Sequence, residues 1–247
     1  MLLRIKKKSL AYDSGITEKK PAVKKFPETA KPNPEAITPK PDKLTLKDYD
    51  EEIQAFETQK NIRVQLIGTD KKPMSDQPIL VTLIGNGEIN SHPEKTAIKT
   101  DDNGTAYFDL KAGKKIGDLK VVLRCQNPEF KHIKTELDST IIPNEPEKLE
   151  IQNNLQAYPA GKKLLKPIKV LVHDRFGNPI NGRSVNFQVT MGDGMLENNQ
   201  KTATAATNEN GEITMDFTLG KEPGFNAVNI KVDGTGLEKA FQAVGQD

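Results

Sequence analysis

The residues best equipped for chemistry in this 247-residue chain are three histidines, one cysteine and two short runs of oxygen ligands. His92, His132 and His173 stand far apart, and none has a second ligand at metal-binding spacing. His173 alternates with Val172, as a solvated strand residue does. Cys125 closes an alternating segment, where a thiol is buried and inert; alone, it forms no intrachain disulfide. Asp101-Asp102-Asn103-Gly104 and Asn208-Glu209-Asn210-Gly211 gather carboxylate and amide oxygens. Calcium takes about six to eight oxygens from a spaced series, which neither run supplies. Asn-Gly between alternating segments is first a hairpin signal. Gly-x-Ser-x-Gly, a phosphate loop and a dinucleotide fingerprint are all missing. The expectation is a chain with no catalytic, cofactor or metal site.

Charge narrows the partners. The formal net charge is +2, but residues 1–40 hold ten Lys/Arg against four Asp/Glu, about +6, leaving about −4 for the rest. Pro21, Pro27, Pro32, Pro34 and Pro39 interrupt that basic stretch, which reads as an extended, disordered Pro/Lys-rich tail. Tyr12 and Phe26 are its only stacking surfaces, so specific nucleic-acid binding is not expected. Leu2, Leu3 and Ile5 flank Lys6-Lys7-Lys8, a candidate tether that could dock on a protein partner or make peripheral contact with an anionic membrane. No apolar run approaches the ~20 residues of a membrane-spanning helix, and the first residues do not form a secretory signal as written. A trimmed fragment, another export route and an internal location all fit that observation.

The elements that would position these residues are short strands. Ile168, Val170 and Val172 alternate with polar residues, as do Val185, Phe187 and Val189; between the two runs lies Asp174-Arg175-Phe176-Gly177-Asn178-Pro179. That is strand, tight turn, strand, with Gly177 or Asn178 left-handed and Pro179 ending the pairing. About 106 residues earlier the same grammar appears. Ile62–Leu66 matches Ile168–Val172, Gly85-Asn86-Gly87 matches Gly192-Asp193-Gly194, and Thr100–Gly104 matches Thr207–Gly211. The chain therefore reads as a tail (1–40) and two tandem domains (41–143 and 144–247), each with six or seven short strands and no crossover helix: all-β, two antiparallel sandwiches. Val64, Leu66, Val81, Leu83, Phe108 and Val121 would form one core, and Val170, Val172, Val185, Phe187, Phe217 and Ile230 the other. Asp48–Phe56 stands apart, with Tyr49, Ile53 and Phe56 at helical spacing for one helical turn or an irregular strand. Pro143-Asn144-Glu145-Pro146 leaves little slack between the domains, which should sit end to end.

Together these landmarks resemble the bacterial Ig-like domain of the invasin/intimin group: Asp174, Gly177-Asn178-Pro179-Ile180, Val185-Asn186-Phe187, Gly192-Asp193-Gly194, Thr207–Ile213 with Asn210-Gly211, and Gly224. The second copy matches nearly every landmark. The first is divergent, with Asp70-Lys71-Lys72-Pro73 in place of the Asp-x-x-Gly-Asn-Pro turn. The resemblance implies rigid stalk modules of a bacterial surface, with Asp174, Gly177, Asn178, Pro179, Gly192, Gly194, Asn210 and Gly211 as structural turn residues. It implies a non-catalytic spacer of a cell-envelope or surface assembly, partnered by other protein subunits. The alternative is a recognition module that binds a protein partner, for example a host receptor or a phage-virion component, through an edge strand or through end loops carrying Arg175, Arg183, Asn198 and Asn208; the alternative location is the cytoplasm or a virion.

Overall fold

The computed structural model describes residues 38–247, together with every side chain in that range except that of Asn198. The candidate tether Leu2, Leu3, Ile5, Lys6, Lys7 and Lys8 lies outside the described residues. Pro39–Asp247 forms one compact unit.

Four sheets and a small ribbon make two sandwiches. In the first, β1 (Pro41–Lys47), β3 (Thr58–Gly68), β7 (Thr105–Ala112) and β5 (Gly87–Ile89) form one sheet in the order β1-β3-β7-β5. It faces a five-stranded sheet, β2-β9-β8-β4-β6, built from β2 (Glu52–Gln54), β9 (Lys134–Ile142), β8 (Gly117–Cys125), β4 (Pro78–Ile84) and β6 (Lys95–Lys99). In the second, β10 (Lys148–Gln152), β12 (Ile168–His173) and β16 (Glu212–Met215) pair in that order, with β14 (Met195–Leu196) and β17 (Phe217–Thr218) as the ribbon. Opposite lies β11-β19-β18-β13-β15: β11 (Gln156–Pro159), β19 (Glu238–Gln246), β18 (Gly224–Val232), β13 (Ser184–Met191) and β15 (Thr202–Ala206). All pairings are antiparallel except β2 with β9 and β11 with β19.

Period-2 patterning explains the layers. On β12, Ile168, Val170 and Val172 are fully buried while the residues between them are half-exposed. β-branched side chains fit such a pleated, half-buried surface. Every residue assigned to a core from sequence is buried in the corresponding cluster, one lying between residues 44 and 141 and the other between 149 and 243. Phe217 and Phe241 meet edge to face at 6.2 Å in the second.

Of the two readings of Asp48–Phe56, the irregular strand holds. Asp48–Phe56 holds no helical turn. Asp48 and Phe56 sit at φ 61° and 67°, and between them β2 pairs with β9, with Ile53 and Ala55 buried. Helical spacing misled because Tyr49 and Phe56 remain exposed and never join Ile53 on one face. Asp216 separates β16 from β17, which belong to different sheets.

Main-chain bonds recur between the sandwiches. Ala55 N–H donates to Ile142 O and Phe56 N–H to Gly113 O; Ala160 N–H donates to Gln246 O and Gly161 N–H to Gly220 O. At the opposite end, Gly68 N–H donates to Lys72 O as Asp174 N–H does to Asn178 O. Gly68 therefore occupies the place of Asp174, at the same spacing of 106 residues as the matched strands.

Candidate functional site: the joint between the sandwiches

The turn after β12 lies between the two cores. Asp174 is fully buried and Asn178 nearly so. Asp174 Oδ1 accepts from the backbone N–H groups of Phe176 and Asn178, each at 2.8 Å. Its Oδ2 accepts from Asn178 Nδ2 at 2.8 Å and from the N–H of Asn144, in the connecting segment, at 3.2 Å. A buried carboxylate is costly unless its lone pairs are met, and here four donors meet them. Burial pushes this carboxyl upward, but the donors from Asn178, Asn144 and Phe176 outweigh it and hold the group below its ordinary value. Gly177 supplies the one left-handed residue of the turn, at φ +87°.

Asn178 carries the turn across to the first sandwich. Its Nδ2 donates to Lys114 O at 2.7 Å and its Oδ1 accepts from Ile116 N–H at 3.2 Å, both in the β7–β8 connection. Asn144 Nδ2 donates to Ala55 O at 2.9 Å. Beside these bonds, the Phe176 and Phe56 rings meet edge to face with centroids 5.5 Å apart. Lys111 Nζ lies 4.0 Å over the Phe56 ring and the Arg175 guanidinium 4.7 Å over that of Phe176. Phe176 also packs against the first core. An edge-to-face pair contributes about 0.5–1.5 kcal/mol beyond its area, and each hydrogen bond a similar net amount. The joint is thus a bonded seam, not a bare linker.

The other landmarks hold turns. Gly211, at φ +72°, accepts from Val172 N–H, and a Cβ there would stand 2.5 Å from Val172 O. Asn208 Oδ1 accepts from the N–H groups of Asn210 and Glu212, and Asp101 Oδ1 does the same for Asn103 and Thr105. These oxygens are engaged in hairpin turns. Among the described residues, no three His, Cys, Asp or Glu side chains stand together as a metal site. Gly192 and Gly194 crowd Asn226, whose Oδ1 accepts from Gly194 and Gly220 N–H, and Pro179 bridges to His173. Cys125 is buried, which pushes its thiol upward and keeps it protonated.

Arg175 lies on Phe176, Arg183 is paired with Glu145, and Asn208 is used in its turn. Asn198 sits in the 3-10 turn Glu197–Asn199 beyond β13, at the other end of the sandwich; its side chain is outside the description. Sequence reasoning missed Asn144, Phe56 and Asn226. Asn144 had a signal, a polar side chain fixed between two prolines; Asn226, inside an apolar strand, had one too; Phe56 had none.

No protein-family model matches this sequence, and neither does any curated protein. Solved structures do resemble it. InvD of Yersinia pseudotuberculosis matches with a TM-score of 0.53 at 16% identity, over 82% of this chain and 57% of that one. FdeC, an adhesin of Escherichia coli, matches with a TM-score of 0.51 at 16% identity, over 84% of this chain and 66% of that one. The chain thus spans less than two thirds of either structure. At such identity the likeness carries the fold: Ig-like β-sandwiches of the kind seen in InvD and FdeC.

Proposed function

We propose that residues 41–247 are two copies of one Ig-like module acting as a semi-rigid, non-catalytic spacer in a bacterial cell-envelope or surface assembly. The observation that carries this reading is the bonded seam at Asp174, Asn178 and Asn144, because a spacer must resist bending between its modules. The recurring main-chain bonds support two copies, and the shared fold with an adhesin supports the surface setting. Strands of about ten residues at ~3.4 Å each give two modules in series a reach on the order of 80 Å. Turn landmarks keep the modules' ends in shape and take no part in chemistry.

Labels at Lys95→Cys and Lys201→Cys report the distance across the joint, and the buried Cys125 thiol does not compete for them. Wild-type protein should give one narrow distance distribution, and the Asn144→Ala/Asn178→Ala variant a broad one. A broad wild-type distribution rules out the spacer. Residues 1–40 are assigned the tether role: their deletion should release the protein from the envelope fraction without moving its thermal transition, and retention after deletion refutes that role.

A further inference from the structure

The outward face of the sheet β11-β19-β18-β13-β15 differs in kind from its counterpart in the first sandwich. The two sheets share one strand order. On β2-β9-β8-β4-β6 a cluster of charges lies beside the exposed Ile84: Lys120 Nζ contacts Glu136 at 2.9 Å and Asp138 at 3.2 Å, and Lys134 contacts Glu136 at 2.8 Å. In the second sandwich, Ala227 takes the place of Lys120, Ala240 that of Glu136, Gln242 that of Asp138 and Phe225 that of Asp118, by the matching registers of β8 with β9 and β18 with β19. Lys231 and Glu238, opposite one another at the end toward the joint, are the charged residues of this face.

What replaces this cluster is an apolar row across four strands, with Gln188, Asn229 and Gln242 on the same face. Met191 stands opposite Ala227, Phe225 opposite Val244, and Val244 opposite Ala157, while Leu155 N–H bonds to Gln242 O at the sheet's edge. Phe225 is 65% exposed, Met191 59% and Leu155 73%. Nearby polar groups are satisfied internally, Asn229 by Glu238 and Thr204 by Asn186. A contiguous exposed apolar patch on a soluble module marks an interaction surface.

We propose that this face is the dimer interface of the protein, with a second copy of the chain packed on it sheet to sheet about a two-fold axis. Large and small residues alternate across it, Phe225 and Met191 beside Ala157 and Ala227, so each copy offers knobs to the other's hollows. Five strands ~4.8 Å apart, the longest running ~30 Å, give a face on the order of 600 Å², the apolar row at one end and polar residues such as Gln188, Asn229 and Gln242 over the rest. Two such faces bury roughly 1,200 Å², the lower end of specific interfaces. A flat, nearly neutral sheet has no concavity for a small ligand and no basic cluster for an anionic surface, whereas it matches itself. The spacer reading stands or falls separately.

Sedimentation equilibrium of the full chain, from low to several hundred micromolar, tests the proposal. The expected result is a monomer–dimer equilibrium, with a thermal transition that rises with concentration. Met191→Lys/Phe225→Lys should be monomeric over the whole range with an unchanged low-concentration transition, since both side chains are exposed. Ile84→Lys, the position in the first sandwich that corresponds to Met191, should still dimerise. Met191→Gln/Phe225→Gln gives the same readout should the lysine pair disturb folding. A wild-type monomer throughout, or a dimer that survives both double variants, overturns the proposal.

Discussion

Asp174→Ala should lower stability by about 3–5 kcal/mol and split a single unfolding transition into two. The change removes the acceptor for the N–H groups of Phe176, Asn178 and Asn144 and for Asn178 Nδ2. Each buried donor left without a partner costs about 1–3 kcal/mol, and water can reach those that lie toward the surface, which sets the range. Asn178 would then be free to rotate away from Lys114 and Ile116, and its bonds are part of what couples the sandwiches. Calorimetry should show one cooperative transition in the wild type and two in the variant. A single transition, shifted by less than about 1 kcal/mol, would mean that the seam does not couple the two units.

The same carboxylate sets a pH dependence. Its pKa in the folded protein lies below the ordinary value, so the folded state binds fewer protons there than the unfolded state. Its contribution is fully present above the unfolded value, near 3.8, and is lost as pH falls through the lower folded value. Glu136, held down to about 2 by hydrogen bonds from Lys134 and then Lys120, behaves alike but lies exposed on the first sandwich. Comparing wild type with Asp174→Asn isolates the joint. The difference in stability between them should be constant at neutral pH and shrink below about pH 4.

Gly211→Ala should cost roughly 3 kcal/mol in the second sandwich. Its φ of +72° costs an L-residue on the order of 1 kcal/mol, and the added Cβ would meet Val172 O at 2.5 Å. That oxygen is backbone, in the middle of a bonded turn, and cannot swing aside as a side chain would. Chemical denaturation with an unchanged m-value should report the loss. Gly177→Ala is the informative contrast: it has the same hand, at φ +87°, but a Cβ there would meet nothing within 4 Å, so only the conformational cost applies.

The strand framework was legible because burial imposes a period of two that survives in the residues themselves. Val170, Val172, Val185 and Phe187 announce the inner face without reference to anything distant. Asn-Gly and Gly-Asn-Pro mark turns for an equally local reason. Very short strands such as β5, β11 and β14 were not legible, because too few residues alternate to make a pattern. The seam was half legible. Asp174 and Asn178 stood out as turn residues, yet nothing local says that their outer hydrogen-bonding groups reach Lys114, Ile116 and Asn144. That information lies in which ends of the two sandwiches meet, as does the aromatic pair of Phe56 and Phe176.

The two parallel pairings acquire a meaning when the chain is pulled along its length. In each sandwich an early strand, β2 or β11, lies beside the last one, β9 or β19, and runs in the same direction. Tension applied at the chain's two ends therefore slides one strand past the other, so their cross-strand bonds are loaded together and must break together. An antiparallel terminal pair would instead peel open one bond at a time. Resistance to force is a matter of unfolding rate, not of equilibrium stability. The four residue pairs of β11 with β19, against three for β2 with β9, make the first sandwich the one to yield.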